Sequence, residues 1–201
     1  MLGISTLTEF GINAALFGMV AHGLITGMLF FLAGSVKHRY HTLEISRLSG
    51  MLIQMPRLGW ILGFAAMASL GLPGLAGFWG EFPAILSAYN PNFGLDVTLY
   101  RTLMVVAALG TVLAAAYLLW LYQRTAFGRP NPEFAGTHSV GAAAADDHHG
   151  ADIHDVTPIE WIAWTPFLIA IVVFGVYPQL MFDVMDPAVT ALVERVGAGI
   201  P

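Results

Sequence analysis

Residues 58–89 read LGWILGFAAMASLGLPGLAGFWGEFPAILSAY, and one charged side chain, Glu81, interrupts an otherwise uncharged run. At 1.5 Å per residue a straight helix of this length would reach about 48 Å, well past the ~30 Å hydrocarbon core of a bilayer. Such a segment must tilt steeply or break. The place of the break is legible: Gly71-Leu72-Pro73-Gly74, followed by Gly77, Gly80, Glu81 and Pro83. Pro73 brings no amide donor and disfavours helical backbone at Leu72, while the glycines accept irregular dihedrals. Interrupted helices are a device for building ion sites inside membranes. An ionisable side chain at membrane depth costs about 2.5–3.5 kcal/mol to insert, so Glu81 is a functional candidate by default. The competing reading is a proline-kinked helix with an interfacial glutamate.

Three further runs are long enough to cross: residues 12–35, with His22 as the one ionisable group, and the uncharged 102–122 and 161–182. Trp161, Trp164 and Tyr177 stand where interfacial aromatic belts belong. Composition agrees. Of 201 residues, 57% are hydrophobic and 10% charged, and the mean hydropathy is +0.71. These figures exclude a disordered chain and weigh against an ordinary soluble domain. The net charge of −5 excludes a general nucleic-acid binder. The absence of cysteine excludes disulfides and thiolate-bound metal centres from this chain. The expected fold is an all-α polytopic transmembrane protein, with four spans and one broken helix.

Loop charge sets the expected orientation. Lys37, Arg39, Arg47, Arg57, Arg124 and Arg129 fall on one side of the four spans, Arg101 and Arg195 on the other. By the positive-inside rule both termini face outward. The chain then divides into the end of a preceding helix and an outer loop (1–11), three transmembrane helices including the broken 58–89 (12–127), a flexible His/Asp-rich cytoplasmic loop (128–158), a last transmembrane helix (159–183) and an amphipathic outer tail (184–201). In the loop, Asp146, Asp147, His148, His149, Asp152, His154 and Asp155 have the chemistry to coordinate a divalent cation, but glycine and alanine leave them no rigid frame. In the tail, Asp186 is placed to cap a short surface helix beginning at Pro187, with Val189, Leu192, Val193 and Val196 on one face.

His22 is the second intramembrane candidate. Gly11, Ala15, Gly18, His22 and Thr26 recur at three- and four-residue spacing and share one helix face. Small residues there admit a neighbouring helix or water. A neutral imidazole accepts a proton on one nitrogen and releases one from the other, which suits a proton wire; it equally suits a histidine hydrogen-bonded to another helix.

Several ordered motifs now carry a resemblance. They are Met19-Val20-Ala21-His22-Gly23-Leu24, Arg39-Tyr40-His41-Thr42 with Gly50 following, Leu70-Gly71-Leu72-Pro73-Gly74 and Gly77-Phe78-Trp79-Gly80-Glu81-Phe82. Residues 117–127, with Arg124, and Gly175-Val176-Tyr177-Pro178-Gln179 extend them over nearly the whole chain apart from residues 128–158. Together they resemble chain M, the middle antiporter-like subunit family of NADH:quinone oxidoreductase (respiratory complex I). The resemblance implies the C-terminal portion of a fourteen-helix antiporter-like fold, and proton translocation coupled to electron transfer from NADH to quinone. It implies that His22 lies on a central polar axis and that Glu81, on the broken helix, is an outward proton-exit group. Sister antiporter-like subunits usually carry lysine at the Glu81 position. The structural break would comprise Gly71, Pro73, Gly74, Gly77 and Gly80, and Pro83 departs from the family pattern in a way that bears on where the break falls.

The inward half-channel of the family, with its glutamate–lysine pair and central lysine, has no counterpart in these residues. By the same resemblance, no cofactor is expected in this chain; NADH, FMN, iron–sulfur clusters and quinone belong to partner subunits. Expected partners are neighbouring antiporter-like and other membrane-arm subunits, the family's N-terminal helices and the lipid bilayer of a bacterial plasma membrane, with no nucleic acid. Two alternatives stand beside this reading: a subunit of a multisubunit cation/proton antiporter, and a non-conducting membrane scaffold.

Overall fold

The computed structural model describes residues 1–92, 94–135 and 153–198. Helix α1 (Leu2–Ser5) is a single turn that leads through Thr6 and Leu7 into α2 (Glu9–Tyr40). The Thr8 hydroxyl accepts from the Gly11 amide at 3.1 Å, and Glu9 lies in the first turn where the helix dipole favours an acid. At the other end Lys37, His38 and Arg39 occupy the last turn, and His41 closes the helix at φ 54°. The helix therefore overruns the expected 12–35 span at both ends. Lys37 and Arg39, expected in the basic loop, are helical. Favourable end charges and a good cap extend a helix past its apolar stretch.

Helix α3 (Met51–Gln54) and α4 (Pro56–Ser69) follow, then an irregular link and α5 (Ala76–Leu86), which ends in a 3₁₀ turn at Ser87–Tyr89. Neither α4 nor α5 alone reaches across a bilayer core, at about 21 and 17 Å. With the link between them they occupy the stretch 58–89 expected as the broken span. Helix α6 (Val97–Ala126) is capped by Asp96, which accepts from the Thr98 and Leu99 amides. Arg101 and Arg124, expected just outside this span, lie within the helix and pack over Tyr89 and Trp120, at 4.4 and 5.3 Å from the ring centroids. Helix α7 (Pro132–Ala135) is short. Helix α8 (Pro158–Val176) starts with a capping box between Thr157 and Glu160.

Helix α9 (Gln179–Ala198) corrects the reading of the tail. The last crossing ends at Val176 rather than Phe182, and Asp186 and Pro187 lie inside α9 rather than at its start. The turn is made at Pro178, whose carbonyl accepts from the Met181 and Phe182 amides. Packing overrides the capping preference: Phe182 of α9 lies 5.2 Å from Phe17 of α2, ring to ring, and Asp186 is held by Asn13.

Helices α2, α6 and α8 are each long and apolar enough to cross a membrane. Among the described residues α2 is the hub, packed against α1, α4, α5, α8 and α9. Its buried stripe of Phe17, Ala21, Ile25, Met28, Leu32 and Val36 forms the spine of the core. Helix α6 stands at the edge, where only Tyr122, Thr125 and Ala126 are buried. The connections gather at two ends. One holds residues 6–8, 90–92, 94–96 and α9, joined by Asn92 N–H donating to Thr6 O and Asn13 to Asp186. The other holds 41–55, 127–135 and 153–157, joined by Gly50 N–H donating to Phe127 O, Gln54 to Phe134 O and Arg39 to His154 O.

Candidate functional site: the cleft at the helix break

The break falls between Ser69 and Ala76, at the expected Gly71-Leu72-Pro73-Gly74. Gly71 (φ 66°) and Gly74 (φ 93°) adopt left-handed backbone that a side chain would strain. Pro83 does not move the break; it is buried inside α5, which runs through it to Leu86. The two half-helices pack closely, because a Cβ at Gly77 would meet the Ala68 carbonyl oxygen.

Helices α2 and α5 cross where Gly18 faces Gly80. A Cβ on Gly18 would sit 3.2 Å from the Gly80 Cα, and one on Gly80 would collide with the Gly18 backbone. The small-residue face read from the sequence is thus occupied, and its partner is α5 of the same chain. The crossing leaves an open cleft of about 510 Å³. His22, one turn beyond Gly18, and Glu81, next to Gly80, both line it, together with Ala15, Ser69 and Gly77. The two ionisable candidates are therefore brought to one cavity and both are exposed to it. The Glu81 carboxylate folds back over the break, since a Cβ at Gly71 would lie 2.9 Å from its Oε2. The Thr26 hydroxyl lies 3.3 Å from each ring nitrogen of His22. Chemically, the cleft offers a carboxyl that can hold or release a proton and an imidazole that can pass one on.

Helix α8 buttresses this arrangement. Gly175 lies so near Gly74 and Leu75 that any side chain there would overlap their backbone. Trp79 Nε1 donates to the Gly175 carbonyl at 2.8 Å, which ties α5 to the end of α8. Trp79 and Gly175 appeared in the sequence only as parts of motifs. Their role needs both helices in place.

A second polar cluster, unforeseen as a unit, locks the opposite end. Arg39 is 1% exposed, and its guanidinium donates to both Glu160 oxygens, Nη1 to Oε1 at 2.8 Å and Nη2 to Oε2 at 2.6 Å. It also donates to the Ser35, His154 and Asp155 carbonyls. Glu160 accepts from Ser35 Oγ and from the Thr157 amide and hydroxyl as well. Asp155 in turn caps α4, accepting from the Arg57 and Leu58 amides at 3.1 and 3.2 Å. The ends of the 128–158 segment are accordingly built into the fold, with Phe134, Ile153 and Val156 buried, which corrects the expectation of a loop flexible throughout. Asp146, Asp147, His148, His149 and Asp152 lie outside the described residues. Among the described residues no three His, Asp or Glu side chains come together as a metal site.

Similarity to known proteins follows the same residues. Residues 1–109 match the family model described as NADH:quinone oxidoreductase/Mrp antiporter, TM. NADH-quinone oxidoreductase subunit M of Rhodobacter capsulatus is 35% identical over 199 residues, covering 99% of this chain and 34% of that protein. NADH-ubiquinone oxidoreductase chain 4 of Arabidopsis thaliana is 33% identical over 194 residues, covering 96% of this chain and 34% of that one. In the solved structure of respiratory complex I from Thermus thermophilus with bound NADH, one chain superposes with a TM-score of 0.78 and 29% identity, over 96% of this chain and 36% of that one. The chain thus spans about a third of the length of the curated relatives it matches. The match over residues 1–109 contains α2, the break, and every residue that lines the His22–Glu81 cleft except Thr111, and on it the chain belongs to the NADH:quinone oxidoreductase/Mrp antiporter transmembrane family.

Proposed function

We propose that this chain provides the outward proton-exchange half of a proton-translocating membrane-arm subunit of NADH:quinone oxidoreductase. One observation carries the reading: His22 and Glu81, on different helices, line a single cleft at a glycine-built crossing beside the helix break. The Glu81 carboxylate takes up a proton to become the neutral acid, and the acid releases it to restore the carboxylate. His22 relays between its two ring nitrogens, with Thr26 oriented toward the ring. The irregular backbone at Gly71–Gly74 sits against the acid and leaves peptide groups outside the helical hydrogen-bond ladder beside it. The names of the relatives favour the oxidoreductase over the multisubunit antiporter, and Glu81 in place of lysine points the same way.

In this reading the redox groups (NADH, FMN, iron–sulfur clusters and quinone) are held by partner subunits, and the partners in the membrane are neighbouring antiporter-like subunits. The protein resides in a bacterial plasma membrane with both termini outside. The test is Glu81→Gln in the assembled oxidoreductase. Glutamine keeps the shape and hydrogen bonding but cannot ionise. NADH-driven proton uptake by inside-out vesicles should fall by about tenfold or more, with the subunit still assembled. Undiminished uptake removes Glu81 from the proton path. His22→Ala should cost less, because water can bridge a gap in a polar wire.

A further inference from the structure

A second cavity, of about 360 Å³, opens at the end of the bundle formed by the start of α2, residues 78–83 of α5 and the first half of α9. It shares no residue with the His22–Glu81 cleft. Five of its lining side chains are aromatic: Phe10, Phe78, Trp79, Phe82 and Phe182. The rings are held against one another, Phe78 stacked on Phe82 at 5.3 Å and edge-on to Trp79 at 5.2 Å, with Phe182 edge-on to Trp79 at 6.5 Å. Among these rings stands one carboxylate, Asp186. Its Oδ1 accepts from Asn13 Nδ2 at 2.7 Å, and among the described residues it has no cationic partner. The amide holds the carboxylate in place and leaves its second oxygen available. At the mouth, Phe10 and Phe82 are 52% and 54% exposed.

An acid within a wall of aromatic faces is the chemistry of ammonium recognition: the rings attract a cation through their quadrupoles, and the carboxylate accepts its N–H groups. The setting specifies what carries the ammonium. The cavity lies at one end of a membrane-crossing bundle, and its rim continues into exposed apolar side chains suited to acyl chains. We propose that this cavity binds the headgroup of a phospholipid bearing a primary ammonium, phosphatidylethanolamine, with the ammonium between the rings and Asp186 and the acyl chains along Phe10 and Phe82. The site needs no proton chemistry and stands whether or not Glu81 carries protons.

The test uses the purified chain reconstituted in vesicles of equal phosphatidylethanolamine and phosphatidylglycerol, re-extracted in mild detergent, with retained lipid quantified by mass spectrometry. The wild type should retain the ethanolamine lipid in about threefold or greater excess, as expected for a few cation–π contacts and one charged hydrogen bond. Asp186→Asn keeps a partner for Asn13 and should bring the ratio to parity. Phe82→Leu, which keeps apolar bulk and removes a ring, should lower it by about half. Asp183→Asn, one turn away and outside the cavity, should leave it unchanged. In a second vesicle set phosphatidylcholine replaces the ethanolamine lipid; its trimethylammonium has no N–H and should be retained less. Parity in the wild type, an unchanged ratio in Asp186→Asn, an equal loss in Asp183→Asn or equal retention of the choline lipid would each overturn the proposal.

Discussion

At the residue scale, the crossing of Gly18 and Gly80 does more than save space. It sets the backbone separation that lets side chains one position and one turn away face a common cleft. The two glycines are not equivalent. A Cβ on Gly80 strikes the Gly18 backbone, which cannot move as a flexible side chain can, whereas one on Gly18 meets the Gly80 Cα at 3.2 Å and needs a shift of a few tenths of an ångström. Gly80→Ala should therefore destabilise the protein by about 2–3 kcal/mol and Gly18→Ala by about 1 kcal/mol. Thermal unfolding in detergent measures both. Equal midpoints for Gly80→Ala and wild type, or a larger loss in Gly18→Ala, would refute the crossing as described.

At the element scale, the end of the bundle opposite Asp186 is organised by a pair far apart in the chain, Arg39 on α2 and Glu160 on α8. Arg39 is almost wholly buried, so removing its acid leaves a guanidinium without its counter-charge. Single substitutions Glu160→Gln and Arg39→Met should each cost about 3–5 kcal/mol, the usual penalty for breaking a buried pair. Glu160 is 20% exposed, so Arg39→Met, which strands the less buried of the two charges, should lie nearer the lower figure. Replacing both residues with Met removes the stranded charge and should recover a large share of that loss, because the desolvation cost disappears with the pair. Additive losses in the double variant would show that the two groups act separately. The same end holds the cap of α4. Asp155→Ala should lower stability by about 1 kcal/mol, and Asp155→Asn, whose single side-chain oxygen can still accept from one of the Arg57 and Leu58 amides, by less.

At the scale of the whole molecule, the two sets of connections lie at opposite ends of the helices, and Lys37, Arg47, Arg57, Arg124 and Arg129 accompany Arg39 at one of them. In the proposed orientation that end faces the cytoplasm. The chain has no cysteine of its own, so single substitutions report cleanly. A membrane-impermeant thiol reagent added to sealed right-side-out cells should label Asn90→Cys and spare Glu44→Cys until the membrane is opened. The reverse pattern inverts the topology, and with it the outward assignment of the Glu81 cleft.

The membrane class, the crossings, the break at Gly71–Gly74 and the two ionisable candidates were legible in the amino-acid order because each rests on local physics. Apolar length sets a span, Pro73 and its neighbouring glycines interrupt a helix, and an isolated acid or imidazole stands out against hydrocarbon. Helix ends were legible less well: Asp186-Pro187 has the form of a helix start, yet α9 begins at Gln179, because contacts of Phe182 and Asp186 with α2 outweigh a capping preference of about 1 kcal/mol. Only the tertiary structure decided which small residues meet, that His22 and Glu81 share one cleft, and that Arg39 is a buried anchor rather than a loop charge. These depend on side chains brought together from separate helices, Arg39 and Glu160 being 121 positions apart, and a periodicity along one helix carries no record of the face it will meet.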